Sequence, residues 1–400
     1  METGNRSRRI SLGIVILTVL LIRLPFLNQA IGGDDPYYIF GAQHALINPA
    51  HPGHARYVYH GEVVDMRGHP HPPLNSWVLA LLIRAVGDVR ELPFHAAYAV
   101  FSMIAALSMY FIAAKLSPHP LLATLLFIAT PAFVVNGNSL ESDVPFLAWW
   151  MAGFAAFISG RFIIAGVALS LAAMTAYQAI VATPILWVYC WLHARRSRAA
   201  WAVACTPVIV VGAYQLYERL TGGTLPAAVL AGYFSSYGLQ QLSNKLRNAA
   251  ALTAHTGWMV FPLASLLAFR SRWPVFLAAA AAGAIIDPHP LFWGSFATGA
   301  AVLSGCIRRR PDWLEAWILI FFASALMLFF AGSARYLLPM AAPLALIVSA
   351  RSSKRAMAAA AAANLLLGLA LAFVNYQHWD AYREFVRRIP DAFGAGTRKA

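Results

Sequence analysis

One apolar run after another, most of them closed by arginine or lysine, leaves this chain few folds to choose from. A helix crossing a bilayer needs about 20 apolar residues. No backbone N–H or C=O inside the hydrocarbon can go unpaired, so serial helices are the architecture that suits such runs. Of the 400 residues, 60% are hydrophobic and 12% charged, with a mean hydropathy of +0.61. These values lie outside the soluble globular range, and the chain reads as an all-α polytopic membrane protein. Thirty Lys+Arg against 16 Asp+Glu give a formal charge of +14, gathered in short clusters between the apolar runs. That is the pattern of cytoplasmic loops beside anionic lipid, and with no basic stripe interleaved with aromatics it excludes a nucleic-acid partner. Cys190, Cys205 and Cys306 lie in or at the ends of apolar runs, without metal-type spacing, and read as small buried hydrophobes.

Charge then sets the sides. Arg6, Arg8 and Arg9 precede the first run, which no small-x-small cleavage site follows, so residues 10–28 form a retained first helix leading outward. Residues 29–73 become a long first outer loop rich in His, Pro and Gly, the kind of loop that more often carries function than mere connection. The run at 74–86 is too short to cross and carries Arg84, so 74–87 reads as a re-entrant or interfacial helix. Helices over 93–114 and 119–136 follow, then alternating crossings with a break at Thr175-Ala176-Tyr177-Gln178 and an outer amphipathic segment at about 226–246. This parity puts Arg195, Arg196, Arg198 and Arg308 to Arg310 inside. The result is about thirteen transmembrane helices, N-terminus in and C-terminus out, with residues 1–376 as the membrane domain and 377–400 as a short amphipathic outer tail.

The same topology gathers charge at one outer boundary: Asp34 and Asp35 after the first helix, Glu141 and Asp143 after the third, Asp287 after the ninth, and Arg335 with Tyr336 opening the twelfth. Each has a plain reading, Asp34 and Asp35 as helix-end residues and Asp143 as an N-cap ahead of Pro145. A pair of carboxylates can also divide labour, one as general base and one tuning its neighbour. An arginine on the outer side needs a partner, and its planar fork suits phosphate oxygens. Arg23, one turn inside the first helix, is placed to snorkel to the same boundary. Tyr37 and Tyr38 sit at the interface beside the acids, and the prolines of HPHPPL hold His71 near it. The six histidines between 44 and 71 match no tetrahedral zinc spacing, so no metal ligand is assigned and no cofactor is required, divalent metal remaining the open alternative.

In this order, GDDPYY after the first helix, HPPL ahead of a short helix, P-x-F-x(9)-SDVP over residues 131–145 and RYLLPMAAPLALI from Arg335 resemble the polyprenyl-phosphate-sugar-dependent glycosyltransferases of the C-type (GT-C) superfamily. The resemblance is to the group of protein O-mannosyltransferases and lipid A aminoarabinose transferases, glycosyltransferase family 39, and covers most of residues 10–350. It implies the GT-C fold and transfer of one sugar from a polyprenyl-phosphate donor to an acceptor hydroxyl of protein, lipid or glycan at the outer face of a bacterial inner membrane. By similarity Asp34 is the base and first acid of the family's pair, with Asp35 the second. Asp143 matches the acid of the family's Thr-Asp-x-Pro motif, and Arg335 and Tyr336 match its Arg-Tyr pair. Tyr37, Tyr38, His71, Glu141 and Arg23 are candidate substrate contacts. Two departures stand out: residues 175–178 lack a lysine that relatives often carry there, and the large outer domain of many relatives is nearly missing after Tyr376. Transport of a polyprenyl-linked glycan is the competing reading, disfavoured because the acids collect at one face rather than at mid-membrane.

Overall fold

Proline and backbone-breaking turns divide the apolar runs into more helices than the runs alone suggest. The computed structural model describes residues 2–59, 62–236, 241–286, 289–329 and 332–393, among which lie nineteen α-helices and one two-stranded hairpin. Helix α1 (Glu2–Arg23) passes into a 3-10 turn at Leu24–Phe26, where Pro25 brings no amide. The segment expected as a polar loop is structured: it holds α2 (Asp35–Ile47) and an antiparallel hairpin of β1 (Arg56–Tyr59) and β2 (Glu62–Asp65), with Tyr57 opposite Val64. Asp35 in the first turn of α2 and Pro36 beside it suit a helix start, where an acid meets the positive dipole end and a missing N–H costs nothing. Helix α3 (Leu74–Val86) spans the residues assigned from sequence to the short outer helix. It ends at Gly87, whose φ of 85° lies in the left-handed region open to glycine.

Helix α4 (Glu91–Leu116) is unbroken, but the run at 119–136 divides into α5 (Pro120–Ile128) and α6 (Pro131–Asn136), because a residue before proline is pushed out of the helical region, as Thr130 is. Helices α7 (Asp143–Ile158) and α8 (Phe162–Thr175) follow. The expected break at 175–178 is present: Ala176 turns extended and Tyr177–Val181 coils as a 3-10 turn. Beyond it come α9 (Ala182–His193), α10 (Arg198–Ala204), α11 (Thr206–Gly222), α12 (Pro226–Ser236), α13 (Leu242–Gly257), α14 (Pro262–Ala268), α15 (Trp273–Ile286), α16 (Pro290–Cys306), α17 (Trp313–Leu328), α18 (Leu338–Arg351) and α19 (Lys354–Phe393). Residues 377–393, expected as a separate tail, continue α19 without interruption.

Among the described residues, three helical stretches are long and apolar enough to cross a membrane alone, Arg6–Phe26, Glu91–Leu116 and Lys354–Arg388. Two bent pairs reach that length together, α10 with α11 at 43° and α13 with α14 at 85°. Length and composition alone therefore mark up to five crossings, against the thirteen expected from the apolar runs.

The core is aromatic where α7 meets α17: Phe154 lies 4.8 Å from Trp150 and 4.3 Å from Trp317, ring centre to ring centre, with Trp313 alongside. Where α13 meets α16 the backbones themselves touch, since a Cβ on Gly257 would overlap the carbonyl of Ser295 and one on Gly299 that of Thr253. Both contacts suit helices that associate by close packing within lipid rather than by leaving water. At the start of α2, Trp379 of α19 lies over Gly32, where a Cβ would run into its ring. Arg383, one turn on, donates to the carbonyl of Asn28 at 3.1 Å.

Candidate functional site

The turn between α6 and α7 carries Glu141 and Asp143, and three buried bonds fix its shape. The carboxylate of Asp35, 1% exposed, accepts the N–H of Leu140 at 2.7 Å. The carbonyl of Leu140 accepts from the Asn75 side chain at 3.0 Å, and Asn75 accepts in turn from the Tyr98 hydroxyl at 2.6 Å. One residue further on, the Ser142 hydroxyl lies 2.6 Å from His71 Nδ1 and 3.2 Å from the Tyr38 hydroxyl. The start of α2, the start of α3 and the turn before α7 are thus bound together by groups that water cannot reach.

Onto this frame the 3-10 turn Ala334–Leu337 brings Arg335. Its guanidinium donates to Asp34 at 2.8 Å and to Glu141, and its Nε lies 3.7 Å from the Asp143 carboxylate. The Tyr336 ring packs beside the same guanidinium, 5.4 Å from its carbon to the ring centre. Three of the acids expected at one boundary, Asp34, Glu141 and Asp143, are therefore gathered around Arg335, although the four residues come from three turns separated by up to 301 residues. Asp287, the fifth acid of that expectation, lies outside the described residues.

A cavity of about 630 Å³ opens on this cluster. Of the residues singled out from sequence, Asp34, Asp143, Tyr37, Tyr38, His71, Arg335 and Tyr336 line it. Glu141 does not, but it holds the arginine that does. Two residues are placed differently. Asp35 faces away from the cavity and holds Leu140. Arg23 does not snorkel: it is 2% exposed and donates to the carbonyls of Phe133 and Val134 at 2.7 and 2.6 Å, to Asn138 Oδ1 at 3.1 Å and to the Ser102 hydroxyl at 3.0 Å. The last turn of α6 exposes carbonyl oxygens that need donors, and a buried arginine supplies several at once.

Sequence reasoning missed other walls of the cavity. Tyr57 and Asp65 come from the hairpin hidden in the first loop, Tyr233 from α12, and Tyr177 and Gln178 from the broken segment. The last pair had a signal, since a helix break inside an apolar run exposes its flanking residues. Met327, Leu328 and Phe329 add an apolar side at the end of α17.

Charge in the cavity is uneven. Among the described residues lining it, Asp34, Asp65 and Asp143 are acidic and Arg335 is the sole lysine or arginine. Burial pushes Glu141 well above the usual carboxylate range, with Asp143 beside it adding to the shift, so it tends to hold a proton. Burial also lowers His69 to about 4 and His71 well below the usual imidazole value, leaving both neutral at physiological pH. They offer hydrogen bonds without positive charge. An anion entering here meets one fixed cation, Arg335.

No family model and no curated protein matches the chain. Among solved structures it is similar to ArnT from Cupriavidus metallidurans, crystallised bound to undecaprenyl phosphate. The match covers 100% of this chain and 67% of that one, at 13% identity and a TM-score of 0.46.

Proposed function

We propose that this cavity is the active site of a GT-C-type membrane glycosyltransferase that takes one sugar from a polyprenyl-phosphate carrier and passes it to an acceptor hydroxyl. The observation that carries the reading is the convergence on Arg335 of Asp34, Glu141 and Asp143 at a cavity with an apolar flank. An isoprenoid can lie along Met327, Leu328 and Phe329, and a phosphodiester at the guanidinium places the sugar against the acids.

The donor phosphate is a diester with a single negative charge. Arg335 is already occupied, so an incoming phosphate must displace a carboxylate. Asp34 is the one that can leave, its side chain being 43% exposed against 9% for Glu141 and 5% for Asp143. Binding the donor therefore frees the carboxylate needed as base. Asp34 then takes the acceptor proton as the acceptor oxygen bonds to the anomeric carbon. The bond from that carbon to the phosphate oxygen breaks, its electron pair going to the polyprenyl phosphate, whose growing charge Arg335 stabilises. One such displacement inverts the anomeric centre and uses no metal. Neutral His69 and His71 and the tyrosines Tyr37, Tyr38 and Tyr336 are suited to sugar hydroxyls, and mannose, aminoarabinose and galacturonic acid all remain candidate sugars. The thirteen-crossing topology with this cavity on the outer, periplasmic face of a bacterial inner membrane belongs to the same proposal.

Mass spectrometry of polyprenyl-phosphate lipids tests it, in a strain lacking the gene and complemented with wild type or Asp34→Asn. One polyprenyl-phosphate sugar should accumulate in the deletion and persist with the variant. Passage of a lipid-linked glycan across sealed vesicles without covalent transfer would favour the transport reading instead.

A further inference from the structure

A second cluster lies apart from the cavity. His51-Pro52-Gly53-His54 forms a turn closed by the His54 N–H donating to the His51 carbonyl at 3.1 Å. The turn sets the two imidazoles side by side, 4.3 Å between ring centres at 22°. From α11, 164 residues beyond His54, Glu218 reaches both: one oxygen lies 3.3 Å from His51 Nδ1 and the other 2.7 Å from His54 Nε2. The candidate donor atoms all lie within 4.8 Å of one another. Glu218 is 2% exposed; the Tyr214 side chain bonds to it and Arg67 attracts it from a distance, but among the described residues no lysine or arginine lies within ion-pair reach of it. A buried carboxylate needs a compensating cation. Its surroundings are already set, with Tyr217 stacked on His51 at 5.3 Å and donating to the Ala50 carbonyl, and Gly222 packed so close to His54 that a Cβ would overlap the ring.

We propose that His51 Nδ1, His54 Nε2 and a Glu218 carboxylate oxygen bind one zinc ion, with water in the fourth position. Two imidazoles and a carboxylate are a recognised zinc donor set, and a tetrahedral ion with ligand bonds near 2.0 Å holds its donors about 3.3 Å apart. The His51–Glu218 spacing is already 3.3 Å and the His54–Glu218 contact 2.7 Å, so ligation needs only a small readjustment of the three donors. Each imidazole would bind through a nitrogen that carries no proton, the other ring nitrogen keeping the N–H. None of the three residues lines the cavity, so the ion takes no part in transfer. It clips the 51–54 turn to α11, and the same turn leads into the hairpin whose Tyr57, Val64 and Asp65 form a cavity wall. The metal would thus hold that wall in place.

The test uses the full chain in detergent, without a histidine tag, dialysed against zinc and then against a weak chelator, with metal read by mass spectrometry. About one zinc per chain is expected in wild type, falling about tenfold or more in His54→Gln and Glu218→Gln. His54→Gln retains a hydrogen bond to Glu218 but gives no imidazole ligand, and gel filtration checks its fold. Zinc should raise the melting temperature of wild type and leave that of His54→Gln unmoved. Should the variants fail to fold, X-ray absorption of zinc-loaded wild type decides: nitrogen and oxygen neighbours near 2.0 Å with imidazole scattering support the site, and sulfur neighbours near 2.3 Å overturn it. Wild type that retains no zinc, or variants that retain as much as wild type, would also overturn the proposal and leave the three groups as a hydrogen-bonded tether.

Discussion

Arg23 and Arg335 were marked by the sequence for the same task and end in opposite circumstances. Arg23 is enclosed and gives its N–H groups to uncharged oxygens, two of them helix-end carbonyls. Arg335 is partly open and gives its own to carboxylates, with Nε left without a hydrogen-bond partner. The carbonyls of α6 have nothing to exchange for the arginine they hold. Carboxylates, by contrast, can give way to another anion of similar shape and charge. What separates a structural arginine from a ligand-binding one is therefore the chemistry of its partners and its exposure, more than its place on the chain.

The sharpest way to test the contrast is to alter each region and read both rate and stability. Asp34→Asn should lower transfer from the accumulated donor roughly 10²- to 10⁴-fold, the usual loss on removing a general base, with the melting temperature little changed because the amide still accepts from Arg335. Arg335→Lys should lower the rate about a hundredfold while the protein stays folded, since an ammonium replaces the charge but not the fork. The comparison breaks if that variant melts as low as Arg23→Met. The latter should lose roughly 3 to 5 kcal/mol of stability by removing the buried guanidinium that donates at once to the Phe133 and Val134 carbonyls, Asn138 and Ser102, read as a lowered melting temperature or aggregation in gel filtration. Gly137→Ala should show the same defect more weakly, about 1 to 3 kcal/mol, because a Cβ there overlaps the Arg23 guanidinium. Normal stability in Gly137→Ala would mean the cap can relax.

The smallest effect concerns Asp35. Burial raises its carboxyl to about 7, against the hydrogen bond from Leu140 that favours ionisation. The unfolded carboxyl loses its proton near pH 4, so between about pH 4 and 7 the folded state binds more protons and stability falls as pH rises. Asp35→Asn retains an acceptor for Leu140 and carries no charge. It should melt above wild type at pH 8 and close to it at pH 5, and an equal gap at both values would remove Asp35 as the titrating group.

Much of the site was legible before any coordinates because charge is rare in this chain, and each charged group at a helix end had to be explained. The parity of apolar runs sufficed to group Asp34, Asp143 and Arg335. Helix α3 was readable because a proline run starts it and a glycine ends it. What stayed hidden was set by contacts between distant segments. Helix α2 and the hairpin lay inside a stretch whose histidines, prolines and glycines read as loop. The role of Arg23 depended on carbonyl oxygens, which every residue possesses and which leave no mark in sequence. The spacing rule applied to the histidines of the first loop could not register Glu218, which arrives from α11. The 85° bend between α13 and α14 turns on Phe261-Pro262, within a run that hydropathy treats as continuous.

The contact of Trp379 with Gly32 bears on the order in which this protein is made. Gly32 and Gly33 lead directly into Asp34, and the indole that packs on them belongs to α19, which leaves the ribosome after all the other described elements. Every other described element can already be inserted while the backbone ahead of Asp34 still lacks its cover. The turn that carries Asp34 is therefore braced only once α19 has packed, and a nascent chain still waiting for α19 holds Arg335 opposite an Asp34 whose backbone has not yet been covered.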